Sequence, residues 1–157
     1  MDGADWTRYT IRAALGLYVL YLLSLPGLGS QPLRRGLWTT AWVLFSTHAL
    51  LAFHVFHDWS HVAAYTATAL ETREVIGWDW GGGLYLNYVF WMLWTLDVGW
   101  CWWDLRGYSR RARWMDLVLH GFLLFMAFQA TVVFETGPIR WVGCILTAVL
   151  LLRWRRS

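Results

Sequence analysis

The chain has 157 residues, of which 58% are hydrophobic and only 15% are charged; it includes 14 tryptophans and has a formal net charge of +3. A water-soluble domain usually has about a quarter charged residues and a little under half apolar residues. This composition excludes a disordered chain, a nucleic-acid-binding domain and a secreted disulfide scaffold, for which the two cysteines are also too few. It indicates an integral membrane protein.

Five apolar stretches predict an all-α fold, a polytopic bundle of five transmembrane helices. A helix of about 20 mostly apolar residues spans a bilayer core of about 30 Å, and flanking Arg and Trp residues allow a shorter one. In chain order the stretches are 11–28, 37–57, 84–103, 114–134 and 139–152. Gly137 and Pro138 separate the last two, which together are too long for one span. We expect a single transmembrane domain over 1–157.

The arginines predict the orientation of this bundle. All 13 basic residues are arginine, which is typical of a GC-rich bacterial genome. Nine arginines and two acids lie on one side of the predicted helices, against four arginines and seven acids on the other, so the two faces carry +7 and −3. The positive-inside rule places the face with nine arginines in the cytoplasm. We therefore expect a multi-pass protein of the bacterial inner membrane, with its N-terminus outside, its C-terminus cytoplasmic and anionic lipid headgroups bound at the cytoplasmic face.

Four of the five histidines fall within 14 residues, at the outer end of the second predicted span. Ionisable side chains in membrane segments are rare, and each is a functional hypothesis by default. On a continuous helix His54, His57 and His61 share one face with Asp58, a spacing by which helices present imidazole ligands to a metal. Glu135 is expected at the same membrane face and can supply an oxygen ligand. These five residues are the candidate site for copper, iron or zinc.

One straight helix cannot bring all three imidazoles to one ion, because His54 and His61 would lie about 10 Å apart along its axis. A helix break near 58–60 is one solution, with Ser60 capping a further helix that runs from His61 and ends at Gly77. That segment, 61–76, is expected on the outer surface. The alternatives are two separate metal centres, or histidines that only form hydrogen bonds with polar neighbours.

His48 and His120 are the candidate ligands of a tetrapyrrole cofactor. A b-type haem needs two facing axial ligands, for which these two histidines are the candidates, whereas a chlorophyll-type magnesium needs only one imidazole. His120 also lies at about the same depth as Asp97 on the neighbouring predicted helix. Since an unpaired carboxylate inside a membrane is costly, we predict that Asp97 and His120 face each other. The competing arrangement is that one of the arginines of the loop 105–113, Arg106 most plausibly, folds back to neutralise Asp97. Such a pair serves either as a proton relay or as a structural ion pair that fixes the helix register.

Most of the tryptophans fall near the ends of the predicted spans, where indole rings anchor a helix at the membrane interface. Trp42, Trp91 and Trp94 lie deeper and need another explanation. Packing in the core and contact with a cofactor ring are the two possibilities, and packing is the simpler one.

Two functions from different classes fit these observations. The first is a small non-catalytic subunit that stabilises a larger energy-transducing membrane complex, respiratory or photosynthetic, and that can hold a His-ligated cofactor. Small size, excess aromatic surface and the lack of room for an extramembrane domain favour it. The second is a stand-alone metalloprotein or oxidoreductase with a metal site at the periplasmic face, which the histidine cluster favours.

Overall fold

A computed structural model describes residues 2–24, 30–134, 140, 141, 143, 144, 147 and 148, and within them the regular elements are all helical, with no β-strand. The helices are α1 (Gly3–Leu23), α2 (Gln31–His57), α3 (His61–Ile76), α4 (Gly83–Trp103), α5 (Leu105–Ser109) and α6 (Arg113–Phe128). A π-helical turn, Gln129–Val133, continues α6. The predicted turn at 135–138 lies outside the described residues, and the predicted fifth helix lies largely outside them.

The first two helices begin earlier than their apolar stretches. Helix α1 starts at Gly3 because Asp2 and Asp5 cap it reciprocally: the Asp2 carboxylate accepts from the Asp5 amide at 2.9 Å, and the Asp5 carboxylate accepts from the Asp2 amide at 3.3 Å. Helix α2 starts at Gln31, with Pro32 in its first turn, where a missing N–H costs little. Hydropathy alone finds the apolar part of a helix and misses such polar first turns.

The chain breaks sharply between α2 and α3. Asp58 and Trp59 both adopt the left-handed conformation, with φ of 45° and 60°, which is uncommon for non-glycine residues. The Ser60 hydroxyl then accepts the Ala63 amide at 3.2 Å and caps α3, and Gly77, at φ 79°, ends it. These caps confirm the predicted helix break and both predicted ends of the third helix.

Helices α1, α2, α4 and α6 pack side by side with alternating direction. Tyr21, near the end of α1, stacks on Trp38, near the start of α2, with ring centroids 4.7 Å apart. At the other end of this hairpin, the His48 Nδ1 donates to the Thr7 carbonyl at 2.9 Å. Helix α4 then runs antiparallel to α2. Alternating direction is the order expected of helices that cross a membrane one after another.

Four indole N–H groups join α2 to α4, and we call these hydrogen bonds the indole ladder. The Trp38 indole donates to the Asp97 carboxylate at 2.8 Å. The other three indoles donate to hydroxyl groups, each at 2.9 Å: Trp42 to Thr95, Trp91 to Ser46, and Trp102 to Thr39. Hydrogen bonds between helices in a membrane protein contribute about 0.6 kcal/mol each on average. The ladder gives the deep Trp42 and Trp91 hydrogen-bond partners on the neighbouring helix.

Aromatic rings fill the centre of the bundle. Trp38 is only 1% exposed, and its ring lies 4.9 Å from that of Trp94 and 5.9 Å from that of Tyr18. Phe45 and Phe90 close the other side of Trp94, at 5.6 and 5.5 Å. The deep Trp94 is therefore also a core residue.

Two helices of the described chain are long and apolar enough to cross a membrane: Gln31–His57, and Arg113–Val133, in which α6 continues through the π-helical turn. Helices α1 and α4 have 21 residues each, a length of about 31 Å at 1.5 Å per residue. These two helices are less apolar, because charged residues lower the mean hydropathy of α1, and Asp97 and five tryptophans lower that of α4.

Candidate functional site

A buried ion pair lies near the start of α2 and the end of α4, and we call it, with the side chains bonded to it, the Asp97 cluster: Trp38, Asp97, Tyr108, Arg111 and Asp116. The Asp97 carboxylate accepts from the Trp38 indole at 2.8 Å, from the Tyr108 hydroxyl at 2.9 Å and from the Arg111 guanidinium. Arg111 also forms an ion pair with Asp116. The side chains of Arg111 and Asp97 are only 6% and 8% exposed, whereas that of Asp116 is 43% exposed.

A short helical turn after α4 brings the chain back to Asp97. The Asp104 carboxylate accepts the Gly107 amide at 2.9 Å and caps α5. This turn carries Tyr108 towards the carboxylate, and the chain then passes through Arg111 before α6 begins. Arg111 therefore links the turn to both α4 and α6.

The charge on Arg111 is stable in this setting. Burial opposes the charged form, but the negative charge of Asp97, with further contributions from Tyr108 and Asp116, raises the pKa of Arg111 overall. Burial, followed by the effects of Tyr21 and Asp97, raises the pKa of the Tyr108 hydroxyl. Tyr108 therefore remains a donor, with the Arg111 guanidinium 3.9 Å from the centroid of its ring. The cluster has the contacts of a permanent structural ion pair that joins α2, α4, α5 and α6.

This arrangement differs from the predicted pair of Asp97 and His120. Among the described residues no direct hydrogen bond joins the two; the His120 Nδ1 lies 3.4 Å from the Tyr18 hydroxyl instead. Trp38 contacts both, since it donates to Asp97 and its ring lies edge-on to His120 at 5.4 Å. The competing arrangement, in which a loop arginine neutralises Asp97, is the one observed, but the cation is Arg111, whereas Arg106, the favoured candidate, is exposed on the short turn.

The described residues of the predicted histidine site each have separate ring contacts or are exposed. His54 lies against the Trp59 ring, and His57 against the Phe53 ring at 5.8 Å. Asp58 is exposed at the helix break. The described residues contain no group of three or more His, Cys, Asp or Glu placed to hold a metal ion. The helix break at 58–59 is the one that the sequence allowed, but among the described residues it does not gather the imidazoles and Asp58 into such a group. Glu135 lies outside the described residues.

The other histidines have polar partners of their own. His61 starts α3 and faces α4, with its Nδ1 3.0 Å from the Tyr88 hydroxyl and its Nε2 3.5 Å from that of Tyr85. His48 and His120 are the candidate axial ligands. The His48 Nδ1 forms a hydrogen bond with the Thr7 carbonyl, and His120 is buried among the rings of Tyr18, Tyr21 and Trp38. These contacts match the alternative in which the histidines form hydrogen bonds with polar neighbours.

The sequence reasoning missed Trp38, Tyr108 and Arg111 as partners of Asp97. One signal was available: Asp104 followed three residues later by Gly107 is consistent with a capped helical turn in the loop. A turn there shortens the path from α4 to α6 and brings later loop residues, rather than Arg106, back to the carboxylate.

Searches against protein-family models, curated proteins and solved structures find no match for this chain.

Proposed function

We propose that the chain is a multi-pass subunit of a bacterial inner membrane, with five spans and its N-terminus outside, that stabilises a larger energy-transducing complex without a catalytic centre of its own. The distribution of apolar and aromatic side chains on the outside of the helix bundle is the observation that carries this proposal.

Helix α4 presents a continuous apolar stripe away from the bundle. The exposed residues of this stripe are Tyr85, Val89, Met92, Leu96 and Trp103. They are spaced four, three, four and seven residues apart, the spacing of residues on one side of a helix. Helix α6 exposes a second stripe, which contains Trp114, Val118, Phe125 and Phe128. Such continuous stripes exceed what a water-soluble monomer usually leaves uncovered, and they suit contact with lipid or with other membrane subunits.

The interior of the bundle supports a structural role rather than a reactive one. The Asp97 carboxylate has three donors, and Arg111 is paired with two carboxylates. The indole ladder and the aromatic core fix α2 against α4. A bundle held this firmly is a suitable scaffold for neighbouring subunits.

The topology is tested with reporter fusions after Gly82, after Arg110 and after Ser157. A reporter that is active only in the periplasm should be active after Gly82 alone, because the other two junctions lie on the predicted cytoplasmic face. Activity after Ser157 together with inactivity after Gly82 would contradict the orientation, and activity at both would contradict the number of spans.

The subunit role is tested by extracting the tagged full chain from its native membrane in a mild detergent and measuring its native mass and absorption spectrum. We expect a high-mass species with pigment or haem bands. The variant Met92→Ala/Leu96→Ala should release the chain from that species, whereas Leu50→Ala, an exposed position on α2, serves as the matched control. An isolated chain with stoichiometric copper, iron or zinc would favour the metalloprotein instead.

A further inference from the structure

Two adjacent arginines near the start of α2 have no anionic partner among the described residues. The Arg34 guanidinium lies 5.8 Å from the Tyr21 ring centroid, and that of Arg35 lies 4.0 Å from the Trp102 ring centroid. The ion pairs of the described chain use other arginines, and the Nε of both Arg34 and Arg35 is buried without a hydrogen-bond partner. Aromatic contacts position these two cations, and no carboxylate of the described residues neutralises them.

The surrounding charges make this pair unfavourable without an anion. The two arginines are the fourth and fifth residues of α2, close to the positive end of its helix dipole, and the first turn has no acidic residue. The two carboxylates of the Asp97 cluster, Asp97 and Asp116, are already paired with Arg111. The positive charges of Arg34 and Arg35 therefore have no counter-ion among the described residues.

The position of the pair indicates which anion it binds. Trp102 and Trp103 end α4 beside it, and Trp103 is 93% exposed, as an indole at the membrane interface would be. Lipid phosphates lie at that depth, and the planar fork of a guanidinium matches phosphate oxygens in geometry and charge. We propose that Arg34 and Arg35 form a specific binding site for the phosphate of an anionic phospholipid in the cytoplasmic leaflet. This site deepens the proposed function, on whose membrane location it rests.

The test uses the purified full chain in mild detergent, titrated with phosphatidylglycerol or with phosphatidylcholine of the same acyl chains, with bound lipids counted by native mass spectrometry. The wild type should retain one phosphatidylglycerol at least tenfold more tightly than phosphatidylcholine. Arg34→Gln/Arg35→Gln should abolish this preference. The matched control, Arg106→Gln/Arg110→Gln, removes the same charge from exposed positions of the same face and should change the affinity less than twofold.

Equal losses in the test and control variants would overturn the proposal, because they would show diffuse attraction to the whole basic face. An unchanged preference in Arg34→Gln/Arg35→Gln would also overturn it. Displacement of the lipid by excess inorganic phosphate would show a site for free phosphate rather than for a lipid. If the glutamine variant does not fold, Arg34→Lys/Arg35→Lys keeps the charge but loses the guanidinium fork, and it should weaken phosphatidylglycerol binding several-fold. A chain that never enters the membrane fraction would contradict the proposed function itself, independently of the lipid site.

Discussion

Replacing Arg111 by methionine should destabilise the bundle more than any other single arginine substitution at the same end of the bundle. Methionine keeps much of the apolar stem, so the substitution mainly removes the charge. It leaves Asp97, which is 8% exposed, with only the neutral donors Trp38 and Tyr108. Asp116 also loses its partner, but at 43% exposure water can solvate it.

The magnitude follows from this difference in burial. Breaking a buried ion pair by removing one partner costs about 3–5 kcal/mol, because an uncompensated charge remains buried. An exposed pair contributes about 0–1 kcal/mol. Arg111→Met should therefore lower the free energy of unfolding by about 3–5 kcal/mol. Asp116→Asn, which removes only the exposed partner of Arg111, should lower it by less than about 1 kcal/mol.

Unfolding in mixed micelles of mild detergent and dodecyl sulfate, followed by tryptophan fluorescence, measures both variants against the wild type. Arg106→Met is the matched control for the loss of an arginine at an exposed position of the same turn. If Arg111→Met costs no more than Arg106→Met, the buried ion pair does not stabilise the bundle and the structural role assigned to the Asp97 cluster is incorrect.

Two further predictions concern the contacts between helices. Trp42→Phe and Trp91→Phe each remove one donor of the indole ladder and keep most of the aromatic ring. Each should therefore lower the free energy of unfolding by about 0.6 kcal/mol in the same assay. No effect of either substitution would show that these side chains stabilise the bundle by packing alone and not by their hydrogen bonds. His61→Ala and Tyr88→Phe each break the hydrogen bond between α3 and α4, and a double-mutant cycle should give a coupling of about 0.5–1.5 kcal/mol; additive effects would exclude that hydrogen bond.

The helical architecture could be predicted well from the sequence because apolar length and cap residues are local signals. Ser60 and Gly77 cap the two ends of α3, and both can be recognised from the local sequence alone. The first turn of α1 was missed because its capping aspartates precede the apolar residues. Helix starts that depend on side-chain caps need a search for the caps themselves, beside the hydropathy profile.

The candidate site was less predictable because it depends on non-local geometry. His54 and His61 share one helix face only if α2 continues past His57, and two left-handed residues at 58–59 end α2 there. For Asp97, the need for a cation was evident from its depth. Which loop arginine meets that need depends on the five-residue helix α5, whose turn the spacing of loop residues alone did not specify.

The abundance of tryptophan has a physical explanation that involves no cofactor. Within a bilayer, lipid tails are as apolar as core side chains, so helices associate through close packing and hydrogen bonds rather than through the hydrophobic effect. An indole supplies a large apolar ring and a single donor, and can therefore fill space and reach a Ser or Thr hydroxyl on the next helix. Trp42 and Trp91 do both. Trp94 differs, since its N–H has no partner among the described residues and its ring alone packs between Trp38 and Phe90. The same side chain thus joins helices through its N–H group and fills the core with its ring.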